Sequence, residues 1–181
     1  MMKGFSRFVL YRLMGWTREI SVPHPDKYII ALAPHTSNWD FLMGQLYCRA
    51  EGFRCDFMMK KEWFIWPLGL LFKAMGGIPV ERNKRTSLTD QLAATAKARD
   101  TFHLCVTPEG TRKAVIDWKK GFYYIALKAN IPILLYGLDY GRKRIVCTKA
   151  IQPTGQIDEQ MAEIKEYFKD FQGKHPKMFA V

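Results

Sequence analysis

His35 and Asp40, in the run Pro34-His35-Thr36-Ser37-Asn38-Trp39-Asp40, stand five positions apart and form a pair able to do proton chemistry. An imidazole titrates near neutrality. A carboxylate that reaches it fixes its tautomer and stabilises the cation formed when the ring takes a proton from a reacting alcohol. Residues five apart diverge on an ideal helix, so the pair works only if the residues between them turn. Without that turn His35 is a polar cap and Asp40 an acid in a helix's first turn, the reading that an isolated His-x4-Asp favours until its context is added.

A second group, Thr107-Pro108-Glu109-Gly110-Thr111-Arg112, sets hydroxyls and a guanidinium beside the free amides of a turn. Those groups suit a phosphate, because Arg112 offers a planar two-donor fork and amides donate at no cost in side-chain entropy. Gly110 lets the backbone approach such an anion closely. Glu109 has no such duty by charge and is read as ordering the loop or the arginines. Arg82 closes a third group, Gly76-Gly77-Ile78-Pro79-Val80-Glu81-Arg82, and Lys60 opens a fourth, Lys60-Lys61-Glu62. Ordinary surface turns would carry the same residues.

The elements that position these groups are short and alternate. Strands are expected over 28–33, 56–59, 78–80, 102–107 and 131–138, with a hairpin through Tyr140-Gly141 into 144–148. Helices are expected over 3–16, 39–51, 62–75 with an interruption near Pro67 and Gly69, 87–99 behind a Ser87 cap, and 122–129. Ile157, Met161, Ile164, Phe168 and Phe171 then form the apolar stripe of a last helix. Alternation of this kind predicts an α/β domain, a largely parallel central sheet flanked by helices, with the four polar groups meeting at one sheet edge.

The 181 residues are 48% hydrophobic and 25% charged, proportions of a folded domain rather than a disordered chain. A net charge of +11 attracts polyanions: nucleic acid, anionic lipid or phosphorylated substrates. Charge-free, mostly apolar runs such as 63–72 and 129–138 are too short to span a bilayer. Cys48, Cys55, Cys105 and Cys147 lack metal-ligand spacing and read as small buried hydrophobes, and no secretory leader opens the chain, so a cytoplasmic setting is expected. His24, His103 and His175 read as structural or surface residues.

In order and spacing these groups resemble the glycerolipid acyltransferases of the 1-acylglycerol-3-phosphate acyltransferase family. His35 and Asp40 look like that family's first block, and 60–62 with Pro67 and Gly69 like its linking segment. Gly77 to Arg82 looks like its second block, Pro108 to Arg112 its third, and Ile131-Pro132-Ile133 the start of its fourth, so the likeness covers roughly residues 27 to 140. Pro79, Glu81, Lys113 and Leu135 depart from the usual pattern. The resemblance implies acyl transfer from acyl-coenzyme A or acyl-carrier protein to a glycerol hydroxyl, without a metal or further cofactor. Phosphatidic acid is then the product, and a lyso-aminolipid or another lysophospholipid is the alternative acceptor. It assigns His35 as general base, Asp40 as its orienting partner, and Arg82 and Arg112, with Lys60 and the turn from Glu109 to Thr111, as holding the phosphate.

Residues 1–18 are read as an amphipathic docking helix ahead of an acyltransferase domain over 19–181. Phe5, Phe8, Val9, Leu13 and Trp16 make one stripe, with Lys3, Arg7 and Arg18 opposite, Arg12 inside the stripe, and Leu10 and Met14 outside it. Such a helix lies on an anionic membrane surface, which implies a peripheral position on the cytoplasmic face. The aromatic run from Trp63 to Phe72 fits an acyl tunnel, a bilayer contact or plain core equally. A basic membrane- or nucleic-acid-binding module is the competing class; +11 alone supports it, and no nucleic-acid-binding motif is present.

Overall fold

The computed structural model describes residues 2–80 and 88–181. Side chains alternate across a strand, and here that alternation sorts the apolar residues into two cores. On β2 (Lys27–Ala33), Ile29, Ala31 and Ala33 face one way and Tyr28, Ile30 and Leu32 the other. On β6 (Ile133–Asp139), Ile133 and Leu135 join the first set, while Leu134, Tyr136 and Leu138 join the second. Apart from Lys27 and Asp139 at their ends both strands are apolar, because helices cover both sheet faces.

The first core is closed by α4 (Leu88–Ala98), α5 (Gly121–Ala129) and α6 (Ile157–Phe168), through Leu92, Phe122 and Phe168 among others. The second is closed by α2 (Trp39–Glu51) and, through Leu10, by the π-helical stretch Phe8–Leu13 that continues α1 (Met2–Arg7). The remaining strands are β1 (Thr17–Ile20), β3 (Asp56–Lys60), β4 (Gly77–Val80), β5 (Phe102–Val106) and β7 (Arg144–Ile151); a short helix, α3 (Leu68–Ala74), precedes β4. Among the described residues seven strands form one sheet in the order β1-β7-β6-β2-β5-β3-β4, and only the β6–β7 pair is antiparallel. The C-terminal ends of β2, β5, β3 and β4 therefore share one edge, as the sequence predicts.

The start of the fourth block lies at the other end of that sheet, where the Pro132 carbonyl accepts the Ile29 amide at 2.9 Å. It secures the scaffold, far from the histidine. The sequence reading has no counterpart to β1, because three of its four residues are exposed and no alternation marks it. The expected helix over 3–16 stops being α-helical at Arg7, and Leu10 and Trp16 enter the second core while Phe5, Phe8 and Leu13 are exposed. Arg18 belongs to β1 and, with Arg7, pairs with Glu51 of α2. In the aromatic run Trp63, Ile65, Trp66, Leu70 and Leu71 are also exposed, so core packing does not account for them. Glu81, Arg82 and Ser87 lie outside the described residues.

Candidate active site

The chain leaves β2 at Ala33 and turns through residues 34–38 before α2 begins, and Asp40 reaches back across that turn. Its Oδ2 accepts the amides of Thr36 at 2.8 Å and Ser37 at 2.9 Å and meets His35 Nδ1 at 3.0 Å. The residues between His35 and Asp40 thus turn, as the pair requires. Tyr140, from the β6–β7 connection, donates its hydroxyl to Asp40 Oδ1 at 2.7 Å. Asp40 is wholly buried. Burial alone would raise its carboxyl, but the hydrogen bonds from His35, Tyr140 and Ser37 hold it below the ordinary value. An ionised Asp40 holds Nδ1–H and leaves Nε2 for a reacting group.

The second group follows β5, beside β2. Glu109 is 2% exposed, and its Oε1 accepts the His35 amide at 2.7 Å. It orders the turn that carries His35, a role the sequence reading allowed only as ordering of its own loop or of the arginines. Among the described residues its Oε2 has no hydrogen-bond partner. Burial consequently pushes this carboxyl up to about 7, with the His35 amide opposing in part. Arg112 is exposed and donates to Asn38 Oδ1, so the two groups are tied together. Gly110 sits at φ +66, a left-handed conformation suited to glycine. Thr111 Oγ1 accepts the Lys113 amide at 3.4 Å, and Lys60 is exposed at the end of β3.

A family model described as Acyltransferase matches residues 18–135. The chain belongs to the acyltransferase family. Over 111 residues it is 28% identical to a human protein, 1-acyl-sn-glycerol-3-phosphate acyltransferase beta, an alignment covering 58% of this chain and 39% of that protein. The chain thus spans well under half the length of this curated relative. Its fold matches the crystal structure of the 1-acyl-sn-glycerophosphate (LPA) acyltransferase PlsC from Thermotoga maritima with a TM-score of 0.64, at 18% identity, over 93% of this chain and 75% of that one.

In this acyltransferase a cavity of about 890 Å³ runs inward from His35, Asp40, Gly110 and Arg112, a volume within the usual range for ligand sites. Its inner wall is apolar, with Phe41, Phe53, Met58 and Phe122 among the lining side chains. Glu109, Thr111 and Lys60 are not part of the lining. Cys48, Cys55 and Cys105 are, which the sequence reading did not foresee, because a side chain facing an apolar cavity and one facing a packed core look alike in sequence. Neighbouring Cys105 and Cys48, with burial, raise the Cys55 thiol well above its ordinary range, so Cys55 serves here as an apolar wall. Tyr140 was also missed; the only sequence sign of it is an aromatic residue in the Tyr-Gly turn at a strand end.

Proposed function

We propose that this chain moves a fatty acyl group from acyl-coenzyme A or acyl-carrier protein to the free hydroxyl of 1-acylglycerol-3-phosphate, giving phosphatidic acid. The observation that carries the reading is a histidine held on a buried aspartate at the mouth of an apolar cavity, with an exposed arginine beside it. His35 Nε2 takes the proton of the acceptor hydroxyl as its oxygen attacks the thioester carbonyl. The new C–O ester bond forms, the C–S bond breaks, and the imidazolium returns the proton to the departing thiolate. Asp40 stabilises that cation. The acyl chain lies in the apolar cavity, and Arg112, together with Arg82, holds the acceptor phosphate. The human and Thermotoga proteins are named for this acceptor, which favours it over a lyso-aminolipid.

Acceptor and donor chain both come from lipid, and two exposed apolar sets suit peripheral attachment to an anionic membrane on its cytoplasmic face. One is Phe5, Phe8 and Leu13; the other is Trp63, Ile65, Trp66, Leu70 and Leu71, which follows β3 at the sheet edge that carries His35. Among the described residues no helix is long and apolar enough to cross a membrane. Because Leu10 and Trp16 belong to the core, serine substitutions at Phe5, Phe8 and Leu13 test attachment better than deletion of the segment. The expected result is release from phosphatidylglycerol vesicles with an unchanged melt; undiminished binding refutes docking through this segment.

The reaction itself is tested by following thiol release from one acyl-coenzyme A with 1-acylglycerol-3-phosphate, its phosphate-free analogue and a lyso-aminolipid, and weighing each product. Phosphatidic acid is expected as the dominant product. A dominant lyso-aminolipid product overturns the acceptor, and absence of any acylated product with donors on coenzyme A and on carrier protein overturns the reaction.

A further inference from the structure

Tyr140 lies outside the residues that match the family model, on the turn joining β6 to β7, and 100 positions separate it from Asp40. Its placement is nevertheless fixed from several directions. Its amide donates to the Gln172 carbonyl at 2.8 Å, and its ring meets Trp16 edge-on with centroids 5.0 Å apart. The segment supplying Gln172 also presses on the turn after β2. Gly173 approaches Thr36 so closely that an added Cβ would lie 2.7 Å from the threonine side chain, and the His175 amide donates to Thr36 Oγ1 at 3.1 Å. One strap, 172–175, therefore holds both Tyr140 and Thr36, and each of these donates to the Asp40 carboxylate.

We infer that Tyr140 is a positioning residue for acyl transfer, completing a Tyr140–Asp40–His35 relay in which its hydroxyl sets how much negative charge Asp40 lends to the imidazole. The inference rests on the reading of His35 as general base. Asp40 Oδ2 is shared by His35 and two amides, while Oδ1 receives the Tyr140 hydroxyl. Burial and the adjacent carboxylate keep that hydroxyl protonated far beyond its ordinary range, so it remains a donor at every working pH. A hydrogen bond to a carboxylate withdraws charge from it. With that donor removed, Asp40 stabilises the imidazolium more strongly in the resting enzyme. His35 then gives up its proton only at higher pH, and the turn loses one of its anchors.

Among the described residues the other ionisable groups near His35 are held in place, with Lys119 lining the same cavity. Glu109 receives its backbone amide from the β5 side, Arg112 reaches the neighbouring Asn38, and the strap carries Lys174, over the Trp39 ring at 4.4 Å, and His175. Among the described residues Asp40 is the ionisable side chain bonded to the His35 ring, so a change at Tyr140 is read through Asp40 first.

The test compares Tyr140→Phe, Tyr140→2,3-difluorotyrosine and His35→Ala in the full chain, with acyl-coenzyme A and 1-acylglycerol-3-phosphate. Assayed at a fixed pH on the acid limb, where more of the variant's His35 carries a proton, Tyr140→Phe should lower kcat/KM roughly tenfold, well short of the 10²–10⁴ expected for loss of the base itself. Acceptor KM should stay within about twofold, since Tyr140 is not among the residues that line the cavity. The acid limb of kcat/KM should move to higher pH. Difluorotyrosine, a stronger donor of nearly the same shape, should move that limb to lower pH. Opposite shifts distinguish tuning of Asp40 from a loss of packing, and the difluoro variant decides alone if Tyr140→Phe does not fold. An unmoved limb in both variants, or shifts in the same direction, overturns the relay while a dead His35→Ala enzyme leaves the base in place. An active His35→Ala enzyme overturns the base reading and the relay with it.

Discussion

Asp40 at the head of α2 and Glu109 after β5 are both almost wholly buried, in neighbouring corners at one sheet edge, yet their carboxyls move in opposite directions. Asp40 collects two amides, an imidazole and a phenol, and is held ionised. Glu109 receives one amide on Oε1, while Oε2 faces no donor among the described residues. Burial raises both; the donors on Asp40 outweigh it, whereas the single amide on Glu109 does not and the neighbouring Asp40 charge adds to the rise. The corner on β2 is built to keep a charge that His35 can use. The corner on β5 is built to hold a turn in place with a group whose charge is nearly dispensable.

Removing the charge that is kept should cost most. Asp40→Asn cannot accept at both positions as the carboxylate does, since one end of the amide is a donor; turnover should fall by at least about 10²-fold, with acceptor KM little changed. Steady-state kinetics on a folded variant check this, and a loss under tenfold would break the contrast between the two acids. Arg112→Ala, on the β5 corner, should reduce kcat/KM for a phosphorylated acceptor roughly 10- to 100-fold, as for a charge-assisted contact, while sparing a phosphate-free one. Arg112→Lys should recover part of it, because an ammonium lacks the planar fork. Equal losses on both acceptors would remove Arg112 from phosphate binding.

Glu109→Gln sharpens the comparison through stability. A carboxyl raised from 4.5 to about 7 keeps its proton in the folded chain where the unfolded chain has released it, so wild-type stability falls as pH rises through that window. The full swing is on the order of 3 kcal/mol. Glutamine keeps the carbonyl that accepts the His35 amide and carries no charge, so the variant should match wild type near pH 4.5 and melt several degrees higher at pH 8. Coincident melts at pH 8 would mean that Glu109 Oε2 finds a donor. Smallest is Gly110→Ala, whose Cβ must tolerate φ +66 and lie 3.0 Å from Lys119 Cγ; about 1 kcal/mol of lost stability is expected by chemical denaturation.

The two corners also differ in how far the sequence disclosed them. His35 and Asp40 were legible because their contact is local, closed by a turn of four residues after a β-rich run. Arg112 followed from the same strand-end logic, and its tie to Asn38 needed only that two parallel strands be neighbours. Tyr140 and the strap were not legible, since their contacts with Asp40 and with Thr36 span 100 and 139 residues and depend on how the β6–β7 connection folds back. Strand β1 escaped because an exposed edge strand has no apolar alternation to show. The run from Trp63 to Phe72 fits tunnel, bilayer contact and core alike in sequence, and only the folded chain shows Trp63, Ile65, Trp66, Leu70 and Leu71 at the surface.

The central claim is that His35 removes the proton of an acceptor hydroxyl during thioester acyl transfer, and the most direct measurement is paired thiol release by wild type and His35→Ala with acyl-coenzyme A and 1-acylglycerol-3-phosphate, with product masses recorded. Phosphatidic acid is expected from wild type, and a rate at least about 10²-fold lower from a variant that melts at nearly the same temperature. A folded His35→Ala enzyme that keeps more than about a tenth of the wild-type kcat would contradict it.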